Sequence, residues 1–177
     1  MLDHARSRTL AWAIALALAF TALAVAVTRD RRPLDGIDDW GRQAEDWADG
    51  HPGLIWFLRL VEDGLDTTGM TVLTVLLAVA LFASKHRRAA LYAVLVMVAT
   101  SLATTGLKLL FERTRPDWQD PVELLTTKSF PSGHASSVTA YAVVLGVLAA
   151  MFLRRANLRR LAYAGCALLV VVAAVDR

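Results

Sequence analysis

An all-α fold, a multi-pass transmembrane helical bundle, is predicted by three features of the sequence. Apolar runs of membrane-spanning length recur along the chain. Basic residues gather in short blocks between them, and the single cysteine leaves no disulfide or zinc framework for another architecture. Hydrophobic residues make up 56% of the 177 and charged residues 20%, with a mean hydropathy of +0.46. A soluble domain of this length seldom carries so much apolar residue in unbroken runs. The net charge of +3 is modest and divided among separate blocks, whereas nucleic-acid binding needs a continuous basic face, so nucleic acid is not an expected partner. Cys166 lies inside an apolar run and reads as a small packing residue. No internal repeat, low-complexity tract or long linker divides the chain, so residues 1–177 are expected to form one domain.

The elements follow in order. A spanning helix needs roughly 20 apolar residues. The first run, residues 10–27, contains no charge. Arg6 and Arg8 before it and small residues near its end are also features of a signal peptide, but its length exceeds a usual signal core and favours a retained helix. Residues 68–83 form the second run, between Asp66 and the block Lys85, His86, Arg87 and Arg88. Residues 89–107, 135–153 and 161–175 form the third, fourth and fifth, the last ending at Asp176 and Arg177.

Loop charge then sets the orientation. Arg6 and Arg8, the Lys85–Arg88 block, and Arg154, Arg155, Arg159 and Arg160 all fall on one side if the helices alternate, and the positive-inside rule makes that side cytoplasmic. Loops 28–67 and 108–134 then face outward. Arg29, Arg31 and Arg32 dissent but are outnumbered. The first outward loop is acidic on balance, with Trp40, Trp47 and Trp56 interleaved, which predicts a segment lying along the membrane surface as an amphipathic helix.

The second outward loop carries the chemistry. It opens with Lys108, reaches Arg115-Pro116 and ends in Phe130-Pro131-Ser132-Gly133-His134. Lys108 and Arg115 are seven residues apart, so a helix continued from the third span places both on one face until Pro116 ends it. Two cations on one face at a membrane surface suit a multiply charged anion, with Arg gripping oxygens bidentately and Lys supplying a compact charge. Ser132 can cap the fourth span, Gly133 permits close backbone approach, and the helix N-terminus favours an anion. His134 is placed to exchange a proton with a bound phosphate ester. Each feature has a plainer reading. Lys108 can snorkel at a helix end, Arg113 and Arg115 can anchor lipid head groups, Ser132 can be only a cap, and His134 can be an interfacial polar residue. Their conjunction is what is specific.

Lys108-x6-Arg115-Pro116 followed by Pro131-Ser132-Gly133-His134 resembles the first two signature motifs of the type 2 phosphatidic acid phosphatase family, which shares its site with vanadium-dependent haloperoxidases and glucose-6-phosphatases. The resemblance covers nearly the whole chain, since the five spans and the outward loop fit a six-helix pattern. It implies that Lys108, Arg115, Ser132 and the backbone at Gly133 bind phosphate and that His134 protonates the leaving oxygen. The family's third motif, Ser-Arg, then His, then Asp, is met only by Arg177, with Asp176 where serine is usual. Arg177 is expected to bind phosphate too, although the pair also reads as a polar helix end. The motif's attacking histidine has no counterpart in the sequence. His4 and His86 lie on the cytoplasmic side, and nothing local orients His51. The chain therefore reads as an enzyme lacking its C-terminal part, one span short of six and inactive by itself.

The expectation for the complete protein is a metal-independent lipid phosphate phosphatase that needs no cofactor and works through a phosphohistidine. Its substrate partner would be a lipid phosphate in the bilayer, of the phosphatidic acid, phosphatidylglycerol phosphate or undecaprenyl diphosphate class. The expected location is the cell membrane, with the site facing the extracytoplasmic side. Glu112, Asp117 and Asp120 lack the spacing of a Mg²⁺ site. The alternatives are a non-catalytic lipid-phosphate-binding protein and a related phosphotransferase. A haloperoxidase is disfavoured because those relatives are soluble, and a transporter would place more ionisable residues in mid-membrane. The sequence leaves the oligomeric state open.

Overall fold

Helix follows helix wherever the chain is apolar. The structure is a computed structural model describing residues 2–29, 43, 47, 50–111 and 130–175. Six helices are described: α1 (Leu2–Arg29), α2 (Pro52–Leu65), α3 (Thr67–Ala83), α4 (Arg87–Phe111), α5 (Gly133–Phe152) and α6 (Ala156–Val175). The segment expected to lie along the membrane surface contains α2, which starts with Pro52 in its first turn, where a missing N–H costs no hydrogen bond. Trp40 lies outside the described residues, while Trp56, Phe57 and Leu60 are exposed on α2.

The join between α2 and α3 is a bend of 56°. Asp66 makes it possible, because its carboxylate accepts the N–H of Gly69 and so caps α3. Gly69 is required there: a Cβ would lie 2.1 Å from the carbonyl oxygen of Gly64, closer than any side chain tolerates. At the far end of α3 the chain reverses through a Schellman turn. The His86 N–H donates to Leu81 O at 2.8 Å and the Lys85 N–H to Phe82 O at 2.9 Å, with Lys85 at φ 64°.

α5 is the central element and packs against α3, α4 and α6. Met70, Val138, Tyr141 and Ala173 form one buried cluster, and Ala89, Ala93, Val144 and Leu148 another. Much of this core is alanine, and small residues let helices approach closely where lipid supplies no hydrophobic drive to associate. The Tyr141 hydroxyl donates across the bundle to Leu73 O at 3.3 Å, giving its polar end a partner inside the apolar interior. The outer faces are apolar as well. On α4, Leu91, Leu95, Val98, Leu102 and Leu109 are exposed at helical spacing, the arrangement expected of a face turned to lipid.

Among the described residues three helices, Arg87–Phe111, Gly133–Phe152 and Ala156–Ala174, are long and apolar enough to cross a membrane. The bent pair Ile55–Leu65 and Thr67–Ala83 makes a fourth if taken as one span. Where the sequence predicts its first span, at 10–27, α1 carries a shorter apolar stretch, Leu10–Ala26, so the described helices give three or four candidate spans where the sequence predicts five. The helices also outrun the predicted spans. α4 continues through Lys108 to Phe111, α5 begins at Gly133 rather than 135, and α6 begins at Ala156 and takes in Arg159 and Arg160.

Packing rather than water aversion should set the cost of core changes. Val144 is fully buried and its neighbour Val143 is 54% exposed on the outer face. Val144→Ala is expected to cost about 1–2 kcal/mol in detergent or bilayer unfolding, and Val143→Ala close to nothing. Equal costs would show that the outer face of α5 is covered by protein instead of lipid.

Candidate active site

The C-terminal end of α4 and the N-terminal end of α5 come together although 25 residues of sequence separate Lys108 from Gly133. Lys108 stands in the last turn of α4 and is half-buried. Its Nζ lies 3.7 Å from the point a Cβ on Gly133 would occupy. The ammonium and the opening backbone of α5 are therefore close neighbours. A lysine at a helix C-terminus is favoured by the dipole of its own helix, and here it also faces the positive end of another. Two positive features converging in this way suit an anion between them.

Ser132 is the N-cap of α5, with φ −64° and ψ 121°. Its Oγ accepts the Ala135 N–H at 3.2 Å, and its carbonyl accepts the Ser136 hydroxyl at 2.7 Å. The plain capping role and the phosphate-binding role are compatible here. The cap uses a lone pair of Oγ, so the hydroxyl proton remains able to donate outward. The Gly133 N–H heads the helix with no intrahelical acceptor in reach, as the first turn requires. His134 follows in the first turn of α5 and is 9% exposed. It stands inside the helix rather than before the span start read at 135, because α5 starts at Gly133.

A brace behind these residues has no sequence motif. Phe20 of α1, Phe111 at the end of α4 and Phe130 form a three-ring cluster with centroids 5.4–6.4 Å apart. Phe111 is three residues beyond Lys108 and Phe130 two before Ser132, so the rings join the two arms of the site to each other and to α1. Phe111 and Phe130 flank recognisable motifs, but nothing in the sequence distinguishes Phe20 from an ordinary lipid-facing residue of its span.

Arg115 and Arg177 lie outside the described residues, as do Arg113, Glu112, Asp117 and Asp120. Among the described residues no group of three or more His, Cys, Asp or Glu comes together as a metal site would need. His86 packs against Phe152 at 4.6 Å between ring centroids, at the other end of α5, about 27 Å from His134 by helical rise. His51 differs from its sequence reading. Trp47 orients it, through a 3.0 Å contact from Nδ1 to the Trp47 carbonyl and ring centroids 4.3 Å apart.

No curated protein matches the chain. In overall shape it is similar to the crystal structure described as the first transmembrane PAP2 type phosphatidylglycerolphosphate phosphatase from Bacillus subtilis, with a TM-score of 0.80 over 93% of this chain and 80% of that one, at 22% identity. That likeness establishes a common fold. A family model described as the PAP2 superfamily matches residues 89–177, which is half of the sequence and contains Lys108, Arg115, Pro131 to His134 and Arg177. By that match the chain belongs to the PAP2 superfamily.

Proposed function

We propose that the complete protein is a lipid phosphate phosphatase and that these 177 residues form the phosphate-binding half of its active site. The observation that carries the reading is the convergence of the Lys108 ammonium with the Ser132-capped start of α5, 3.7 Å from the Cβ position of Gly133, with His134 seated in the same turn. Fixed donors aimed at the place where phosphoryl charge develops are the largest contribution a protein makes to phosphoryl transfer.

In this reading Lys108, Arg115 and Arg177 neutralise the phosphoryl oxygens, and the Ser132 hydroxyl and Gly133 N–H complete the cradle. A histidine following Arg177 in the complete protein attacks phosphorus, forming a P–N bond as the bond to the lipid oxygen breaks. His134 gives its proton to that departing oxygen. It then takes a proton from the water that attacks the phosphohistidine, so phosphate leaves and both imidazoles are restored. No metal is required. The substrate is an amphiphile of the phosphatidic acid, phosphatidylglycerol phosphate or undecaprenyl diphosphate class, held with its tail among the exposed apolar side chains of the bundle. In this reading the chain crosses five times, with α1 and α3 each crossing singly and α2 on the surface, and loop charge supports an extracytoplasmic cradle.

Full-length protein in vesicles is expected to release phosphate from at least one of these lipids at an undiminished rate in EDTA. Loss of turnover on chelation would overturn the metal-free mechanism, and binding without release would favour a lipid-phosphate-binding protein. His134→Ala should lower kcat by about 10²–10⁴, and Lys108→Ala should lower kcat/KM by about 10²–10³; unchanged turnover would remove either residue from its role. Phe20→Ala should lower kcat/KM by up to about tenfold, the worth of one aromatic contact. Trp12→Ala, exposed on the same helix, should leave it unchanged.

A further inference from the structure

The end of the bundle away from the cradle carries a second concentration of charge. Lys85, Arg87 and Arg88 lie between α3 and α4, and Arg154, Arg155 and Arg160 lie at the turn from α5 into α6. All six are exposed, and among the described residues none of them forms an ion pair. No acidic residue lies in either basic loop, while Asp63 and Asp66 sit at the α2–α3 bend, at the cradle end. The two basic loops are joined. His86 packs edge-on against Phe152 at 4.6 Å, and the hydrogen bonds of the Schellman turn hold Lys85 in its left-handed conformation.

We propose that this end is a binding surface for anionic phospholipids of the adjoining leaflet. The partner is identified by the pairing of charge with apolar surface. Directly beside the cations, Phe82, Met151 and Phe152 are 58%, 62% and 39% exposed, and the Arg87 guanidinium lies 5.1 Å from the centre of the Phe82 ring. A soluble polyanion has nothing to place on those rings, whereas a phospholipid sets its phosphate on the cations and its glycerol and upper acyl chains on the aromatics. The distance agrees. α4 has 25 residues from Arg87 to Phe111, about 37 Å, which spans a hydrocarbon core of about 30 Å with a margin at each face. The helix hairpin thus meets phosphate at both faces, with substrate at one and resident lipid at the other. This assignment does not depend on catalysis.

The test is native mass spectrometry of the full chain released from nanodiscs of phosphatidylcholine and phosphatidylglycerol. Several-fold enrichment of retained phosphatidylglycerol is expected, falling as salt shortens the screening length. The variant Arg87→Gln/Arg88→Gln/Arg154→Gln/Arg155→Gln should abolish the enrichment, lysine at the same four positions should keep it, and Lys108→Ala should not alter it. The proposal is overturned if wild type retains the two lipids in their bulk ratio. It is also overturned if the glutamine variant enriches phosphatidylglycerol as wild type does, or if Lys108→Ala alone removes the enrichment. Should the glutamine variant fail to fold, the salt series on wild type decides, and salt-independent retention rejects the surface.

Discussion

Inside a bilayer a backbone amide has no water to turn to, and each helix must therefore satisfy its own N–H and C=O groups from end to end. That constraint organises this protein. It confines unsatisfied backbone groups, charge and irregular conformation to the helix termini, so chemistry can gather only at the two faces. Lys108, Ser132, Gly133 and His134 all lie within a turn of a helix end. So do Asp66, Lys85 and the arginines of the opposite face. The interior between them is mostly alanine, valine, leucine and methionine, with the hydroxyls of the buried Thr74 and of Tyr141 each donating to a carbonyl of α3.

The same constraint explains how a site is assembled from residues far apart in sequence. α4 and α5 are packed neighbours on alanine-lined faces, which brings the end of one beside the start of the other. One terminus presents a lysine and the other presents N–H groups, with the lysine Nζ 3.7 Å from the Cβ position of Gly133. Ser132 caps the start of α5 through its Oγ, and in the proposed reading the same hydroxyl offers its proton to phosphate.

Much of this was legible in the sequence because membrane helices announce themselves by length and because the motif residues sit at their ends. The span read at 68–83 is α3 almost to the residue, and Lys108 and Ser132 do flank the junction the motifs imply. Other features were hidden for physical reasons. The place of His134 inside the helix depends on α5 beginning two residues early, which Gly133 permits but does not advertise. The α2–α3 bend rests on a contact between Gly64 and Gly69, two glycines with no pattern around them. Trp47 and His51 look like surface residues until one turn of chain brings their rings together. Phe20 acts through tertiary contact alone, and no local periodicity encodes that.

The ring cluster at Phe20 bears on the order in which the molecule is made. α1 precedes the other described helices in the sequence and packs little against them. Its aromatic contacts are with Phe111 and Phe130, which are synthesised about ninety and one hundred and ten residues later. These contacts can form only once the α4–α5 hairpin has been made. The backing of the cradle thus depends on contacts that span more than a hundred residues of sequence.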